Sequence, residues 1–265
     1  MLKKAKILLF LAVVVGVTLT SVLYFSRLRP GVPEIKDPLL KKIHDRGTIT
    51  IGTEATYPPM ESIDENGDFI GIDIDIAREI ANDLGANADF QNIGWEELFD
   101  AAKEGKVDMI ISAITITPER AETLSFSDPY FNAGQVIVTK KDMADLIRGV
   151  EDLRDRRVGA QIETTSETEA KKYTDSVVTF ENYNLALDDL LEGKVEAIVI
   201  DYPAALGMVA KNEGLAIVGE PFTQEFYGVA VQIGQDELLG RINETIRRLK
   251  QTGELKKLEE RWLTP

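Results

Sequence analysis

Short apolar runs alternate with helix-like segments along the chain from residue 48 onward. The runs TITIGT (48–53), VDMIIS (107–112) and VEAIVI (195–200) are strand-like. The segment DIDIAREIANDLG (73–85) spaces its apolar residues three and four apart, as one face of a helix does. Alternation of strands with helices is typical of βαβ units and a parallel-rich sheet, so we predict an α/β fold.

Turn and cap residues set the predicted limits of the other elements. Asp73 is the predicted cap of the 73–85 helix and Gly85 its stop. Asn66–Gly67 between two short apolar runs predicts a hairpin. The other predicted strands are 69–72, 88–93, 135–140, 157–162, 176–180, 216–220 and 227–233, and the other predicted helices are 95–105, 165–173, 184–194, 202–211 and 236–250, with a break near Gly253.

The alternation occurs twice, which indicates two similar lobes. KVDMIISA (106–113) and KVEAIVID (194–201) match closely, and each begins at the lysine of a Glu-Gly-Lys helix end. A late strand and a long helical region follow the second repeat, so the second lobe is predicted to be inserted in the first. The predicted boundaries are 45–133 with 225–265 for lobe 1, and 134–224 for lobe 2.

Residues 1–29 are predicted to be a targeting segment. Three lysines precede residues 7–25, a run of 19 residues without charge. As a helix this run would be about 28 Å long, close to the bilayer core of about 30 Å. We favour an uncleaved signal-anchor over a cleaved signal peptide because the apolar core is long and lacks a clear small-residue cleavage site. Either places the globular part outside the cytoplasm. Residues 30–44 are predicted to form a linker and a short helix.

Composition excludes several kinds of function. The net charge of −15 disfavours a nucleic-acid partner. Absence of cysteine excludes disulfides, thiolate metal sites and cysteine nucleophiles. The single histidine, His44, lies in a charged helical segment and is predicted to be solvated. The acidic run at 64–69 lacks the ligand spacing of a calcium loop, so no metal or cofactor is predicted.

Four loops are the candidate binding site because ligands of open α/β sheets bind beyond the carboxyl ends of the strands. The candidate residues in these loops offer one fixed positive charge, two negative charges, hydroxyls and aromatic rings, and this set suits a zwitterion. The loops 54–60, 112–120, 161–166 and 201–204 contain Glu54, Tyr57, Thr115, Arg120, Gln161, Thr164, Thr165 and Asp201, and Trp95 opens a helix at the same rim.

Each candidate also has a structural interpretation. Arg120 either clamps a carboxylate or lies on the surface in the first turn of a helix capped by Thr117. A cation near a helix N-terminus opposes the helix dipole, which favours an anionic partner. Asp201 either caps the following helix or receives an ammonium group, and one side chain can do both. Tyr57 and Trp95 either pack in the core or sandwich a ligand side chain.

Four stretches of the chain resemble a known family. They are IGTEATYPPMES…GDFIGIDIDIAREIA, IGWEELFDAAKEGKVDMIISAITITPERAETLSFSDPYF, RVGAQIETTSETEA and KVEAIVIDYPAA. From about residue 45 to the end, the chain resembles the extracytoplasmic solute-binding proteins of ABC importers for polar amino acids. The resemblance implies a periplasmic-binding-protein-like fold, in which two α/β lobes joined by two hinge strands close over one amino acid. NAGQVIVT and EFYGVAV are the predicted hinge strands.

The resemblance also implies a role for each site residue. It assigns the ligand carboxylate to Arg120, Thr115, the backbone amide of Ala113, Thr164 and Thr165. It assigns the ammonium group to Asp201, and the ligand side chain to Glu54, Tyr57, Trp95 and Gln161. Members often have aspartate where Glu54 stands and glycine where Glu163 stands, so the chain departs from the family pattern at these two positions.

The expected function is therefore binding of a polar amino acid and its delivery to the membrane subunits of an ABC importer. Glu54 with two aromatic rings favours a basic amino acid over glutamine. We expect a monomer that is tethered by its N-terminal segment, has no enzyme activity and needs no cofactor. The alternatives are a cyclohexadienyl-type dehydratase on the same fold, with Glu54 or Glu163 as general acid, and a ligand-sensing domain with a separate signalling partner.

Overall fold

Fifteen strands and nine helices account for most of residues 37–263, the part of the chain that the computed structural model describes. The strands are β1 (Thr48–Thr53), β2 (Thr56–Tyr57), β3 (Glu61–Ile63), β4 (Phe69–Ile70), β5 (Asn87–Asn92), β6 (Met109–Ile110), β7 (Leu124–Phe126), β8 (Phe131–Ala133), β9 (Gln135–Lys140), β10 (Val158–Gln161), β11 (Val177–Phe180), β12 (Ala197–Asp201), β13 (Leu215–Val218), β14 (Glu225–Tyr227) and β15 (Ala230–Gln232). The helices are α1 (Pro38–Arg46), α2 (Ile72–Asp83), α3 (Trp95–Lys103), α4 (Pro118–Ala121), α5 (Thr165–Ala170), α6 (Tyr183–Glu192), α7 (Tyr202–Lys211), α8 (Asp236–Thr252) and α9 (Glu254–Leu263).

The first of two five-stranded sheets has the spatial order β5-β1-β6-β15-β7. Strand β1 runs parallel to β5 and β6, while β15 runs antiparallel to β6 and β7. Strand β15 comes late in the chain, after every strand of the second sheet. The chain therefore leaves the first sheet, builds the second and returns, as the repeat pattern predicts.

The second sheet has the order β11-β10-β12-β9-β13. Strand β10 is parallel to β11 and β12, and β9 is antiparallel to β12 and β13. The two segments that cross between the sheets pair with each other, because β8 and β14 form a separate antiparallel ladder. The predicted lobe boundaries at 133/134 and 224/225 fall beside this ladder and stay a prediction.

Each sheet has its own apolar core. One cluster packs α3 against the first sheet, and a second packs α5 and the loop before β10 against the second sheet. The first contains Leu98, Ala102, Ile110, Leu124 and Ala230, and the second contains Ile137, Leu153, Val158, Ala170 and Val199. Two separate cores leave polar loops to meet at the carboxyl ends of both sheets.

Three local predictions about turns and exposure are confirmed. Strands β3 and β4 form the predicted hairpin, and Gly67 in its turn has φ 87°. The C-terminal helical region breaks at Gly253, which has φ 74° between α8 and α9. His44 lies on α1 with 66% of its side chain exposed.

Other local predictions are wrong. Asp73 does not cap α2: the helix begins one residue earlier, after Gly71, and Asp73 is fully buried in its first turn. The predicted strand 107–112 is confined to β6. Of the predicted strand 227–233, only Tyr227 belongs to β14 and residues 230–232 form β15, because the two strands pair with different partners, β14 with β8 in the crossing ladder and β15 with β6 and β7 in the first sheet.

The N-terminal targeting segment, residues 1–29, and residues 30–36 of the linker lie outside the described residues. Within residues 37–263, we find no helix that is long and apolar enough to span a bilayer.

Replacing Gly71 with alanine is expected to destabilise the first lobe. Gly71 has φ 133°, and a Cβ there would overlap the carbonyl group of Met60. Gly67 also has positive φ, but a Cβ there has no described atom within 4 Å. We expect Gly71→Ala to lower the free energy of unfolding by about 1–3 kcal/mol more than Gly67→Ala, measured by urea denaturation. Equal losses in the two variants would contradict the predicted steric overlap.

Candidate ligand-binding site

A small cavity lies at the carboxyl ends of the strands of both sheets. Seven of the ten sequence-predicted site residues line it, and Thr115, Arg120 and Thr165 lie beside it. The lining residues are Glu54, Tyr57, Glu61, Trp95, Ser112, Ala113, Gln161, Thr164, Tyr183 and Asp201. The strand-end rule therefore locates the cavity correctly.

Arg120 lies on α4 with its guanidinium against two aromatic rings. The predicted cap forms, since the Thr117 hydroxyl accepts from the Arg120 N–H at 3.2 Å. The guanidinium carbon is 5.2 Å from the ring centroid of Trp95 and 5.0 Å from that of Phe99. Stacking of this kind stabilises a cation that has lost part of its hydration.

The hydrogen bonds of Arg120 reach both lobes. Within residues 37–263 its guanidinium donates to the carbonyl oxygens of Thr115 (2.9 Å) and Glu163 (3.4 Å) and to no carboxylate. Burial lowers the pKa of Arg120, although a guanidinium keeps its charge at any physiological pH. A partly buried cation with only carbonyl partners is well suited to bind a ligand carboxylate.

The backbone amide beside Arg120 belongs to Thr115, whereas the Ala113 amide has an acceptor within the protein, and the ligand role predicted for Ala113 stays a prediction. Ala113 has φ 47°, and its N–H donates to the buried carboxylate of Asp73 at 2.6 Å. Thr115 pairs with Tyr227 in an isolated antiparallel bridge whose hydrogen bonds are made by the neighbouring residues. In such a pair, the N–H and C=O of the residue itself point away from the partner strand. The Thr115 N–H therefore points to the side where Arg120 meets its carbonyl.

The predicted hydroxyl contacts all have acceptors within the protein. Thr115 Oγ1 and Thr165 Oγ1 donate to Glu225 Oε2 at 2.7 and 2.8 Å. Thr164 Oγ1 donates to the Gln161 carbonyl at 2.7 Å and caps α5. Their roles in ligand binding remain a prediction, and Glu225 is a partner that the sequence did not reveal.

Asp201 ends β12 and faces the cavity. It occupies the cap position of α7, but its side chain makes no capping hydrogen bond, so the capping interpretation is wrong. It accepts from the Tyr57 hydroxyl at 2.8 Å and from Gln135 Nε2 at 2.5 Å. Burial and then the charge of Glu225 raise the pKa of Asp201 to about 7, against the opposing effect of Arg120. A buried carboxyl with few donors is a suitable acceptor for an ammonium group.

A second acid, Glu54, lies against an amide from the other lobe. Gln161 Nε2 donates to Glu54 Oε2 at 2.9 Å and to the Glu181 carbonyl at the same distance. Burial raises the pKa of Glu54 to about 7, although the hydrogen bonds from Gln161 and Thr56 oppose this shift. Ionisation of Glu54 thus becomes easier when a cation lies beside it.

Tyr57 and Trp95 also connect the lobes. The ring of Tyr57 lies 4.9 Å from that of Tyr183, tilted by 37°. Trp95 Nε1 donates to the Glu163 carbonyl at 3.2 Å. Glu163 has φ 57°, a left-handed conformation that favours glycine, and glycine is often found at this position in the family that the sequence resembles.

Sequence reasoning missed Tyr183, Glu61 and Ser112 in the cavity lining. Tyr183 follows β11, so the strand-end rule would have included it if it had been applied to that edge strand. Glu61 lines the cavity close to the buried Asp73, and burial together with the charge of Asp73 raises the pKa of Glu61 well above its usual range. Ser112 donates to Glu61 at 2.9 Å and accepts from the Glu54 N–H.

This fold and cleft define a two-lobed α/β ligand-binding protein. The chain belongs to the bacterial extracellular solute-binding proteins, family 3, whose family model matches residues 49–265. It is 32% identical to the L-cystine-binding protein TcyJ of Escherichia coli K12, over 84% of this chain and 85% of that protein. The family resemblance of the sequence is thereby confirmed.

Solved structures confirm the predicted periplasmic-binding-protein-like fold. The arginine-bound form of truncated ArgBP from T. maritima is 40% identical with a TM-score of 0.76, covering 79% of this chain and 99% of that one. The ancestral amino acid-binding protein AncCDT-1, described as a precursor of cyclohexadienyl dehydratase, is 39% identical with a TM-score of 0.79, covering 85% and 99%.

The buried acids make stability depend on pH. The pKa of Glu54 rises from 4.5 to about 7 on burial, so the folded state holds its proton more tightly than the unfolded state does. This contribution to the free energy of unfolding is full below pH 4.5 and is lost as pH rises to about 7. We expect Glu54→Gln to flatten the fall in stability between pH 5 and 7, measured by urea denaturation at each pH.

The exposed acid Glu65 provides the control, since Glu65→Gln leaves the buried cluster unchanged. An unchanged slope in Glu54→Gln, or an equal change in both variants, would contradict the assignment.

Proposed function

We propose that this chain binds a basic amino acid outside the cytoplasm and delivers it to an ABC importer. The arrangement of charge carries the proposal: Arg120 lies beside the cavity, and two buried acids, Glu54 and Asp201, line it. A basic amino acid has one carboxylate and two cations, the complement of that set. Family membership and the arginine-bound relative support the same ligand class.

Each end of the ligand has a proposed partner. Arg120 and the Thr115 amide hold the carboxylate, Asp201 receives the α-ammonium, and Glu54 with Gln161 receives the side-chain cation near Tyr57 and Trp95. Hydrogen bonds to charged groups contribute about 1.5–3 kcal/mol each. Several of them together offset an association cost of about 4–15 kcal/mol.

Binding favours the closed form because the ligand contacts both lobes. Arg120 comes from the first lobe and Asp201 from the second. In this structure the lobes already approach closely enough for Tyr57 to donate to Asp201 and Gln161 to Glu54. Closure is a shift of population toward the form with more ligand contacts, and the importer would recognise that form.

Residues 1–29 are proposed to hold the chain at the membrane, with 30–44 as linker and short helix. The uncharged run at 7–25 behind three lysines supports this. We also propose that the protein acts as a monomer and that the lobes divide at 133/134 and 224/225.

A second candidate function is a dehydratase on the same fold. The pKa of Glu54, near 7, suits a general acid, and the relative AncCDT-1 is described as a precursor of such an enzyme. Release of product from a cyclohexadienyl acid by the purified chain would support it.

A basic amino acid is expected to raise the melting temperature of the full chain. A ligand that binds only the folded state must stabilise it, so a panel of the twenty amino acids identifies the ligand by thermal shift. No shift with any amino acid would contradict the proposed function.

Arg120→Ala should weaken binding of every ligand by at least about 100-fold, because it leaves the ligand carboxylate without its buried cation.

Arg78→Ala is the matched control. Arg78 also lies over an aromatic ring of the first lobe, 5.7 Å from the centroid of Phe90, but lies on the surface away from the cavity. The Arg78→Ala variant should bind the ligand as the wild type does. Equal losses of affinity in both arginine variants would indicate a general loss of folded structure.

Glu54→Gln is expected to change ligand preference. Loss of the carboxylate should lower arginine affinity about 10–100-fold, the contribution of one hydrogen bond between charged groups. Glutamine affinity should fall by a smaller factor, because a neutral amide side chain has no ion pair with Glu54 to lose and can still donate to the amide oxygen of the new side chain. Isothermal titration with both ligands measures the ratio, and an unchanged ratio would remove Glu54 from the side-chain subsite.

A further inference from the structure

Glu225 is a buried acid outside the cavity lining whose carboxylate accepts four side-chain hydrogen bonds. Its Oε2 accepts from Thr115 Oγ1 at 2.7 Å and Thr165 Oγ1 at 2.8 Å. Its Oε1 accepts from Gln135 Nε2 and Thr223 Oγ1, both at 3.1 Å. Only 7% of the residue is exposed. Four donors are enough to replace the hydrogen bonds with water that a carboxylate loses when it is buried.

The two donors to Oε2 come from different lobes. Glu225 begins β14, opposite Ala133 of β8 in the ladder where the chain crosses between the sheets. Thr115 lies on the loop after β6 of the first sheet. Thr165 begins α5, which packs on the second sheet. One oxygen atom of the crossing segment therefore joins one hydroxyl from each side of the cleft.

Glu225 is also linked to Asp201, the proposed acceptor of the ligand ammonium group. Gln135 belongs to the other crossing segment, two positions beyond the end of β8 and at the start of β9, and is fully buried. Its Nε2 donates to Glu225 Oε1 and also to Asp201 Oδ1, so one amide group bridges the two carboxylates. Both crossing segments thus contribute a side chain to one hydrogen-bonded group.

We propose that Glu225 is a positioning residue that favours the closed form by holding Thr115 and Thr165 to one oxygen atom. This inference rests on the proposed binding of an amino acid between the lobes. Rotation of one lobe away from the other must lengthen at least one of the two hydrogen bonds, because the donors belong to separate lobes. Glu225 itself lines no part of the cavity, so its effect is the same for every amino acid that binds there.

Glu225→Gln tests the inference because the amide keeps the shape of the side chain but loses the charge and one acceptor oxygen. We expect the affinities for arginine and for glutamine to fall by the same factor, about tenfold, by isothermal titration. A change in the ratio of the two affinities would indicate direct contact with the ligand side chain and would overturn the inference.

The separation of the lobes gives a second readout that does not depend on a ligand. The chain has no cysteine, so Glu96→Cys and Thr168→Cys place one dye on each exposed rim of the cleft in the full-length protein. Single-molecule energy transfer in the ligand-free protein should show a longer mean distance in Glu225→Gln than in wild type. An unchanged distance with unchanged affinities would overturn the inference.

Thr223→Val is the matched control, because it removes a hydrogen bond to the same carboxylate from a residue two positions away on the same segment. It should leave the dye distance unchanged. Thr165→Val should lengthen the distance and, combined with Glu225→Gln, add less than the sum of the two single effects. Additive effects would show that the two residues do not act through each other.

These variants separate the two proposals. Failure of the wild-type chain to bind any amino acid contradicts the proposed function alone, and the dye distance of the ligand-free protein still decides the role of Glu225. If Glu225→Gln does not fold, Thr165→Val against Thr223→Val gives the same comparison.

Discussion

The site is organised around one guanidinium that is partly withdrawn from water and has no carboxylate partner among the described residues. Arg120 is held by the faces of Trp95 and Phe99 and by carbonyl oxygens from both lobes. A cation in such surroundings gains from an anion that arrives with the right geometry, and a planar guanidinium matches a carboxylate in two hydrogen bonds. The loop after β6, the cap of α4 and the conformation of Glu163 all serve to fix this one charge.

Acids surround the cavity, and they are kept from full ionisation by burial. Glu54 and Asp201 both have a pKa of about 7, and Glu61 has a pKa raised well above its usual range. Ionisation of such a buried carboxyl group costs free energy unless a cation lies near it. A ligand with two cationic groups relieves that cost at two places at once, whereas glutamine relieves it at one. The proposed ligand class therefore rests on the charge balance of the site more than on its shape.

The position of each site residue relative to the apolar strands explains which residues could be predicted from the sequence and which could not. Glu54, Gln161 and Asp201 lie at or directly after apolar strands, so strand periodicity alone places them at the cleft. Glu225 and Gln135 lie in crossing segments that carry no such signal, and, apart from Thr223 close to Glu225, the side chains that they contact are between 30 and 110 positions away in the chain. Asp73 has the sequence context of a helix cap, but the fold buries it and the Ala113 N–H binds it.

Asp201, the proposed acceptor of the ligand ammonium group, interacts electrostatically with Glu225 of a crossing segment, and this interaction links ligand binding to lobe closure. Gln135 bridges Asp201 and Glu225, and the charge of Glu225 raises the pKa of Asp201. A cation at Asp201 would offset that repulsion and stabilise the Asp201 carboxylate as an anion. An anionic Asp201 accepts more strongly from Tyr57 of the first lobe, because hydrogen bonds to ionised acceptors are about twice as strong as neutral ones. The ammonium group of the ligand would then strengthen a hydrogen bond that joins the two lobes.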